Sequence, residues 1–273
     1  MPIIRTFHVD AFTSTLFAGN PAVVCVLDAW LDDALLQSVA MENNAPITAF
    51  LVFGDNSWDI RWFTCTTEIA LCGHGTLAAA SVILSRIARE SRDVVFSSNS
   101  GILRVRAQDN LYILDFPATF AQRIDAMPEI ETAIKADVLA LYDAGKLIAF
   151  LRDEQAVRNV APDLDTIAAT CPEGLVITAA GAQCDFVSRY FAPHAGINED
   201  QVTGSAHCIL GPMWSERLGK QRMTAQQLSQ RGGELVVEVN GGRVLLGASA
   251  VLYAEGVIHL PLSSKANPAD TQQ

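Results

Sequence analysis

Short runs of alternating hydrophobic and polar residues fill most of the chain, and two longer segments that are apolar on nearly every side interrupt them. Residues 3–9 alternate weakly and predict a first strand; after Gly19-Asn20-Pro21, residues 22–27 form a continuous apolar run, as a buried strand would. Leu31, Leu35, Leu36 and Val39 recur at helical spacing and predict a helix over 32–43, which Pro46 ends. Residues 48–53, 59–64, 93–97, 101–106 and 111–116 predict further strands, and 117–123 reads as a connection. Beyond it the pattern predicts a helix over 129–138, a strand over 146–151, a short helix over 164–171 stopped by Pro172, and strands over 175–179 and 185–191. Asn240-Gly241-Gly242 joins 234–239 to 243–246 as a hairpin, and the tail from residue 263 is loose and polar.

The two interrupting segments share one design. Leu71-Cys72-Gly73-His74-Gly75-Thr76 opens an apolar run over 77–84, and Asp200-Gln201-Val202-Thr203-Gly204-Ser205 opens another that Gly219 stops. A helix that is apolar all round is buried. The N–H groups at its start then need partners, and the helix dipole there favours a negative group. A small carboxylate ligand meets both needs, and glycine lets backbone approach it closely. Two such starts in the two halves of the chain predict two similar lobes facing one cleft. Many strands with a few helices in each half make the protein α+β; parallel βαβ alternation, and with it a doubly wound sheet, is not expected, and no Walker or dinucleotide glycine signature occurs.

Composition narrows the function classes. With 273 residues, 50% of them hydrophobic, the chain can bury a sizeable core, and a net charge of −11 without any basic run argues against nucleic-acid binding. Six scattered cysteines form no C-x-x-C and no zinc spacing, so free thiols and no metal are expected. The first residues lack a signal-peptide pattern and the 77–84 run is too short to cross a bilayer; the expected location is the cytoplasm, away from membranes.

The ordered set Asp10-Ala11-Phe12, Gly19-Asn20-Pro21, Arg61-Trp62-Phe63-Thr64, Leu71-Cys72-Gly73-His74-Gly75-Thr76, Asp185-Phe186-Val187-Ser188-Arg189, Asp200-x-Val202-Thr203-Gly204-Ser205-Ala206-His207-Cys208 and Gln230-Arg231-Gly232-Gly233-Glu234 resembles the phenazine-biosynthesis PhzF family, within the diaminopimelate epimerase fold superfamily. The resemblance runs from about Ile4 to His259. It implies two lobes, each a curved sheet or barrel around a central helix, with the active site between them. The expected division is 1–117, 118–262 and a tail over 263–273, with a strand around 256–262 returning to the first lobe. Members are typically cofactor-free isomerases, many of them homodimers, and the name-giving enzyme moves a proton between two carbons of a dihydro-hydroxyanthranilate.

One departure bears on mechanism. The family's acid/base glutamate stands in a segment like Asn-Leu-Ser-Glu-Thr-x-Phe; here Asn44-Ala45-Pro46-Ile47-Thr48-Ala49-Phe50 places Ile47 at that position. Isoleucine carries no proton. Glu42, on the preceding helix, points elsewhere, and Glu68 reads as structural. Cys65 and Gln201 stand where proline is usual in the family.

The candidate catalytic residues are therefore His74, Asp200 and Ser205, with Asn20, Gly73, Gly75, Ser100, Gly101, Thr203 and Gly204 as candidate ligand contacts. His74 is read either as an acid/base or orienting imidazole or as a helix-start histidine satisfying backbone. Asp200 holds the substrate or an imidazole, or caps the second buried helix. Ser205 and the amides of Thr203, Gly204 and Gly75 receive a carboxylate or oxyanion. Asn20 orients a ligand or satisfies its own turn. Racemisation by two thiols is the minor alternative: Cys72 resembles one half, but Val202 stands where the second thiol belongs and Cys208 lies inside the helix. Two functions follow: an isomerase of a small carboxylate-bearing, amino-acid-like or cyclic metabolite without a cofactor, or a disabled relative that keeps the cleft for binding.

Overall fold

The computed structural model describes residues 3–54 and 57–260. In chain order the first half contains β1 (Ile3–Ala11), β2 (Asn20–Leu27), α1 (Asp33–Asn43), β3 (Thr48–Phe53), β4 (Trp58–Phe63), β5 (Glu68–Ile69), α2 (Gly73–Val82, continued by a π turn), β6 (Asp93–Ser98), β7 (Gly101–Gln108) and β8 (Leu111–Pro117). The second contains β9 (Gln122–Ile124), α3 (Pro128–Ile134), β10 (Ala140–Ala144), β11 (Lys146–Phe150), α4 (Glu154–Asn159), α5 (Leu164–Thr170), β12 (Leu175–Ala180), β13 (Phe186–Ala192) and β14 (Ile197–Asp200). It continues with α6 (Gly204–Leu218), β15 (Arg222–Gln227), β16 (Gly233–Asn240), β17 (Arg243–Ala248) and β18 (Ala250–His259).

Strand pairing shows that the halves are two copies of one pattern. In the first lobe the neighbours run β18–β1–β2–β3–β4–β6–β7–β8, with parallel steps at β2–β3 and β4–β6. In the second they run β9–β10–β11–β12–β13–β15–β16–β17, with parallel steps at β11–β12 and β13–β15. Antiparallel pairing of β8 with β17, Phe116 opposite Val244, joins the lobes. The returning strand is β18, which pairs along β1 from Ile3↔His259 to Ala11↔Ala250 and begins earlier than its expected start at residue 256. The last two residues of the expected 256–262 strand and the tail over 263–273 lie outside the described residues.

The parallel steps correct one expectation. β2–α1–β3 is a βαβ unit, so βαβ connections are present although the sheet stays mixed. The helix expected over 129–138 ends at Ile134, where Lys135 adopts left-handed geometry with φ 53°.

Both central helices are wrapped by their own lobe. Residues 75–82 of α2 are all buried, and the two polar ones bond inside the helix: Thr76 Oγ1 to the Cys72 carbonyl at 2.6 Å and Ser81 Oγ to the Ala78 carbonyl at 2.7 Å. In α6, Pro212 has no N–H to offer the Cys208 carbonyl. The Thr119 amide takes that carbonyl at 3.0 Å instead, which docks the connection between the lobes onto the second helix.

Candidate active site

The same local construction delivers both helix starts. In the first lobe Arg61 on β4 grips Glu68 on β5 through Nε and Nη2 at 2.8 and 2.6 Å; in the second Arg189 on β13 grips Glu199 on β14 at 2.7 and 3.0 Å. Each fork fixes the strand that turns into the helix four residues later. Glu68 is thereby committed to structure. The first intrahelical amides are those of Thr76, bonded to Cys72 O, and His207, bonded to Thr203 O. The amides of Gly73, His74 and Gly75, and of Gly204, Ser205 and Ala206, precede the helical ladder. Thr76 Oγ1 and His207 Nδ1 occupy matching positions and bond the two N-cap carbonyls, the latter at 2.8 Å. The starts meet: a Cβ built on Gly73 would stand 3.7 Å from the Gly204 Cα.

Over this meeting point lies a cavity of about 520 Å³ between the lobes, within the range of small-molecule sites. Asn20, Ile47, Gly73, His74, Asp200, Thr203, Gly204 and Ser205 all line it. Three other candidates do not. Gly75 sits one layer behind, where a Cβ would come within 2.8 Å of Trp62 Cδ1 and 3.3 Å of both Cys72 Sγ and Ile47 Cγ2; glycine is needed there for packing. Ser100 and Gly101 form the exposed turn between β6 and β7, and Ser100 Oγ bonds the Ala70 carbonyl at 2.7 Å, bracing the approach to α2. Glu42 is exposed and off the cavity wall.

Asp200 is held from three sides. Its carboxylate accepts from Asn20 Nδ2 at 2.7 Å and Thr203 Oγ1 at 2.6 Å, while Gln227 Nε2 donates to its backbone carbonyl at 2.8 Å. Gln227 also accepts from the Thr203 amide at 2.9 Å. The N-cap of α6 is Thr203 rather than Asp200, which reaches the helix only through the threonine hydroxyl. Asn20 Nδ2 also donates to the Val202 carbonyl at 3.0 Å, so this asparagine does more than close its own turn, and among the described residues its buried Oδ1 has no partner.

Burial lowers the pKa of His74, and the negative charge of Asp200 opposes that shift. The imidazole is therefore neutral near pH 7. Cys72 Sγ lies 3.4 Å from His74 Nδ1, and burial pushes the thiol up to about 12, with Asp200 adding to the shift. Cys208 is pushed up to about 12 in the same way, and Val202 is fully buried beside the second helix start. Both thiols keep their protons near pH 7, whereas a two-thiol racemase needs one of its pair as the thiolate base. Among the described residues no cluster of His, Cys, Asp or Glu could hold a metal ion. Ile47, 1% exposed, lies on the cavity wall near Cys72 and Trp62.

Sequence reasoning missed Lys146 and Tyr190 on the second lobe's wall, and Gln227 beneath Thr203. Lys146 opens an apolar strand and reads as an ordinary hairpin residue; Gln227 lies in a segment whose inward positions, Met223, Ala225 and Gln227, offer little hydrophobic contrast.

Comparison with known proteins agrees with this architecture. The chain is 49% identical over 258 residues to an uncharacterized isomerase of Pseudomonas aeruginosa, covering 93% of this chain and 98% of that protein. The crystal structure of a phenazine-biosynthesis PhzF-family protein from Enterococcus faecalis superposes with a TM-score of 0.93 at 42% identity, covering 95% of this chain and 100% of that one. A hydroxyproline epimerase from Agrobacterium vitis shares the fold alone, with a TM-score of 0.60 at 10% identity over 94% of this chain and 91% of that one. Residues 9–256 match the family described as phenazine biosynthesis-like protein, so the chain belongs to the PhzC/PhzF family.

Proposed function

We propose that the protein is a cofactor-independent isomerase that moves a proton within a small carboxylate-bearing metabolite, amino-acid-like or cyclic. The observation that carries this reading is the meeting of two buried helix starts under a cavity whose wall presents His74 and Asp200. The substrate carboxylate lies against the amides that open α2 and α6, where backbone donors and dipoles favour a negative group, with Ser205 exposed at their edge.

His74 takes the part that glutamate plays in the family. In the tautomer with Nδ1–H directed to Cys72 Sγ, the Nε2 lone pair receives a proton from one substrate carbon and returns it to another. No proton is gained or lost overall. Asp200 stabilises the imidazolium formed in between, the same charge effect that opposes the burial shift of His74. The family resemblance supports a homodimer, and the scattered cysteines without a disulfide framework support a cytoplasmic location.

Ile47 favours a second reading, in which the cavity binds a carboxylate and catalyses nothing. Proton NMR in D₂O separates the two. Carboxylated cyclic dienes and amino acids are incubated with wild type, His74→Ala and Asp200→Ala. The isomerase reading expects deuterium to enter a carbon position with wild type and to vanish with His74→Ala. Line-broadening of the ligand by wild type without any exchange overturns it in favour of the binding protein.

A further inference from the structure

Lys146 stands on the cavity wall in the second lobe, half-buried, with Nζ 5.7 Å from the centre of the Tyr190 ring. Tyr190 pairs directly with Asp200 across β13 and β14, so the ammonium is carried to the catalytic side of the cavity. Among the described residues Lys146 forms no ion pair and donates no side-chain hydrogen bond, and no other lysine or arginine lines the cavity. The two carboxylates on the same wall are already engaged: Glu199 by Arg189, and Asp200 by Asn20 and Thr203. In a chain of net charge −11, a half-buried cation on the cavity wall that is left out of every ion pair among the described residues is available to an anionic ligand.

The internal repeat sharpens the point. The Val23 amide bonds Ile47 O in the first lobe as the Leu147 amide bonds Gly174 O in the second, so Lys146 corresponds to Ala22 and Tyr190 to Trp62. Both first-lobe counterparts are buried and neither carries a charge. The cation is therefore no part of the scaffold that the two lobes share.

We propose that Lys146 determines substrate class by binding a second acidic group, so that the preferred ligand is a small dianion, a dicarboxylate with one carboxylate at the paired helix starts and the other on the lysine. This rests on the carboxylate-binding reading of the helix starts and not on turnover. The ammonium is a point-like donor on a flexible stem and suits chains of different length.

The test is calorimetric binding of succinate, glutarate and adipate against butyrate, valerate and hexanoate, each to wild type, Lys146→Met, Lys146→Arg and His74→Ala. At least one dicarboxylate should bind wild type about tenfold or more tightly than its monoacid partner, the scale of one charge-assisted contact. Lys146→Met should remove that preference while leaving monoacid affinity within about twofold, and Lys146→Arg should restore most of it. A merely structural lysine would change both ligand classes together, and that result overturns the proposal. So does equal binding of diacids and monoacids by wild type, or no saturable binding of any diacid up to about 10 mM. His74→Ala should keep the preference. Absence of deuterium exchange with wild type, alongside an intact diacid preference, would defeat the isomerase reading and leave this one standing.

Discussion

Replacing Ile47 by glutamate installs a carboxylic acid at the position where the family resemblance expects one, and the surroundings of Ile47 set what that costs. Ile47 is 1% exposed and lies in the layer formed with Cys72, Gly75 and Trp62. Giving up a fully buried isoleucine side chain costs about 2–3 kcal/mol. Glutamate is of similar length, so little further penalty comes from an empty cavity. The carboxyl group itself adds the rest. Burial and the nearby Asp200 carboxylate both favour its neutral form, so its folded-state pKa rises above the value of about 4.3 expected in the unfolded chain. Between those two values the folded chain holds a proton that the unfolded chain has lost, and stability falls by about 1.4 kcal/mol for each unit of rising pH. A shift of about two units therefore brings the total loss to about 5 kcal/mol near pH 7, against about 2–3 near pH 4.

Urea unfolding of Ile47→Glu and Ile47→Gln at several pH values measures this, because the glutamine variant shares the shape without the titration. The glutamate variant should lose stability relative to the glutamine variant as pH rises from about 4 to 7. Parallel pH profiles would show that the introduced carboxyl ionises freely, and would refute the buried placement of this position. Deuterium exchange on the same samples addresses chemistry, since a positioned acid/base contributes about a hundredfold or more to proton transfer. Exchange that appears only with Ile47→Glu, over a wild type that binds but is silent, removes His74 from the catalytic role proposed for it.

Two further predictions concern the scaffold. Burial lowers the pKa of His207 from 6.5 to about 4, so the unfolded chain takes up a proton that the folded chain refuses as pH falls through that window. Stability present above pH 6.5 should thus decline by about 3 kcal/mol toward pH 4, and His207→Gln should show a correspondingly shallower acid slope in urea unfolding. Arg189→Met strands Glu199 and also the Val157 and Val160 carbonyls, which Arg189 Nη1 bonds at 3.2 and 2.8 Å. A loss of about 2–4 kcal/mol is expected by chemical denaturation, whereas a loss below about 0.5 kcal/mol would show that the fork is only a surface ion pair.

The two helix starts were legible because each is written in one short stretch. Glycine, a polar residue and a run with no polar face point to a buried helix start, and the occurrence of two such stretches strengthens the reading. The family resemblance added Ile47 by register, and the structure puts it on the cavity wall with His74 and Asp200. What escaped the sequence depends on partners distant along the chain. Gln227 reaches Thr203 from 24 residues away, and the Cys208 carbonyl that Pro212 frees is taken by Thr119. Ser100 is a candidate ligand contact by sequence, yet its hydroxyl is spent on the Ala70 carbonyl.

The internal repeat was the least legible feature and is the most informative one. Arg61-Trp62-Phe63 with Glu68, and Arg189-Tyr190-Phe191 with Glu199, look like scattered residues until the parallel steps of the two sheets align them. Once aligned, they separate construction from chemistry. Forks, N-cap carbonyls and buried helices occur twice, so any one of them is explained by building a lobe. Residues that break the repeat cannot be explained that way. Cys72 and His74 face Thr203 and Ser205 across the meeting helix starts, and Lys146 stands where the other lobe has Ala22. With the proposed proton carrier His74 supplied by the first lobe and the proposed anion-binding Lys146 by the second, the cavity has a direction that its scaffold lacks, and a substrate with two distinguishable ends is what such a direction would select.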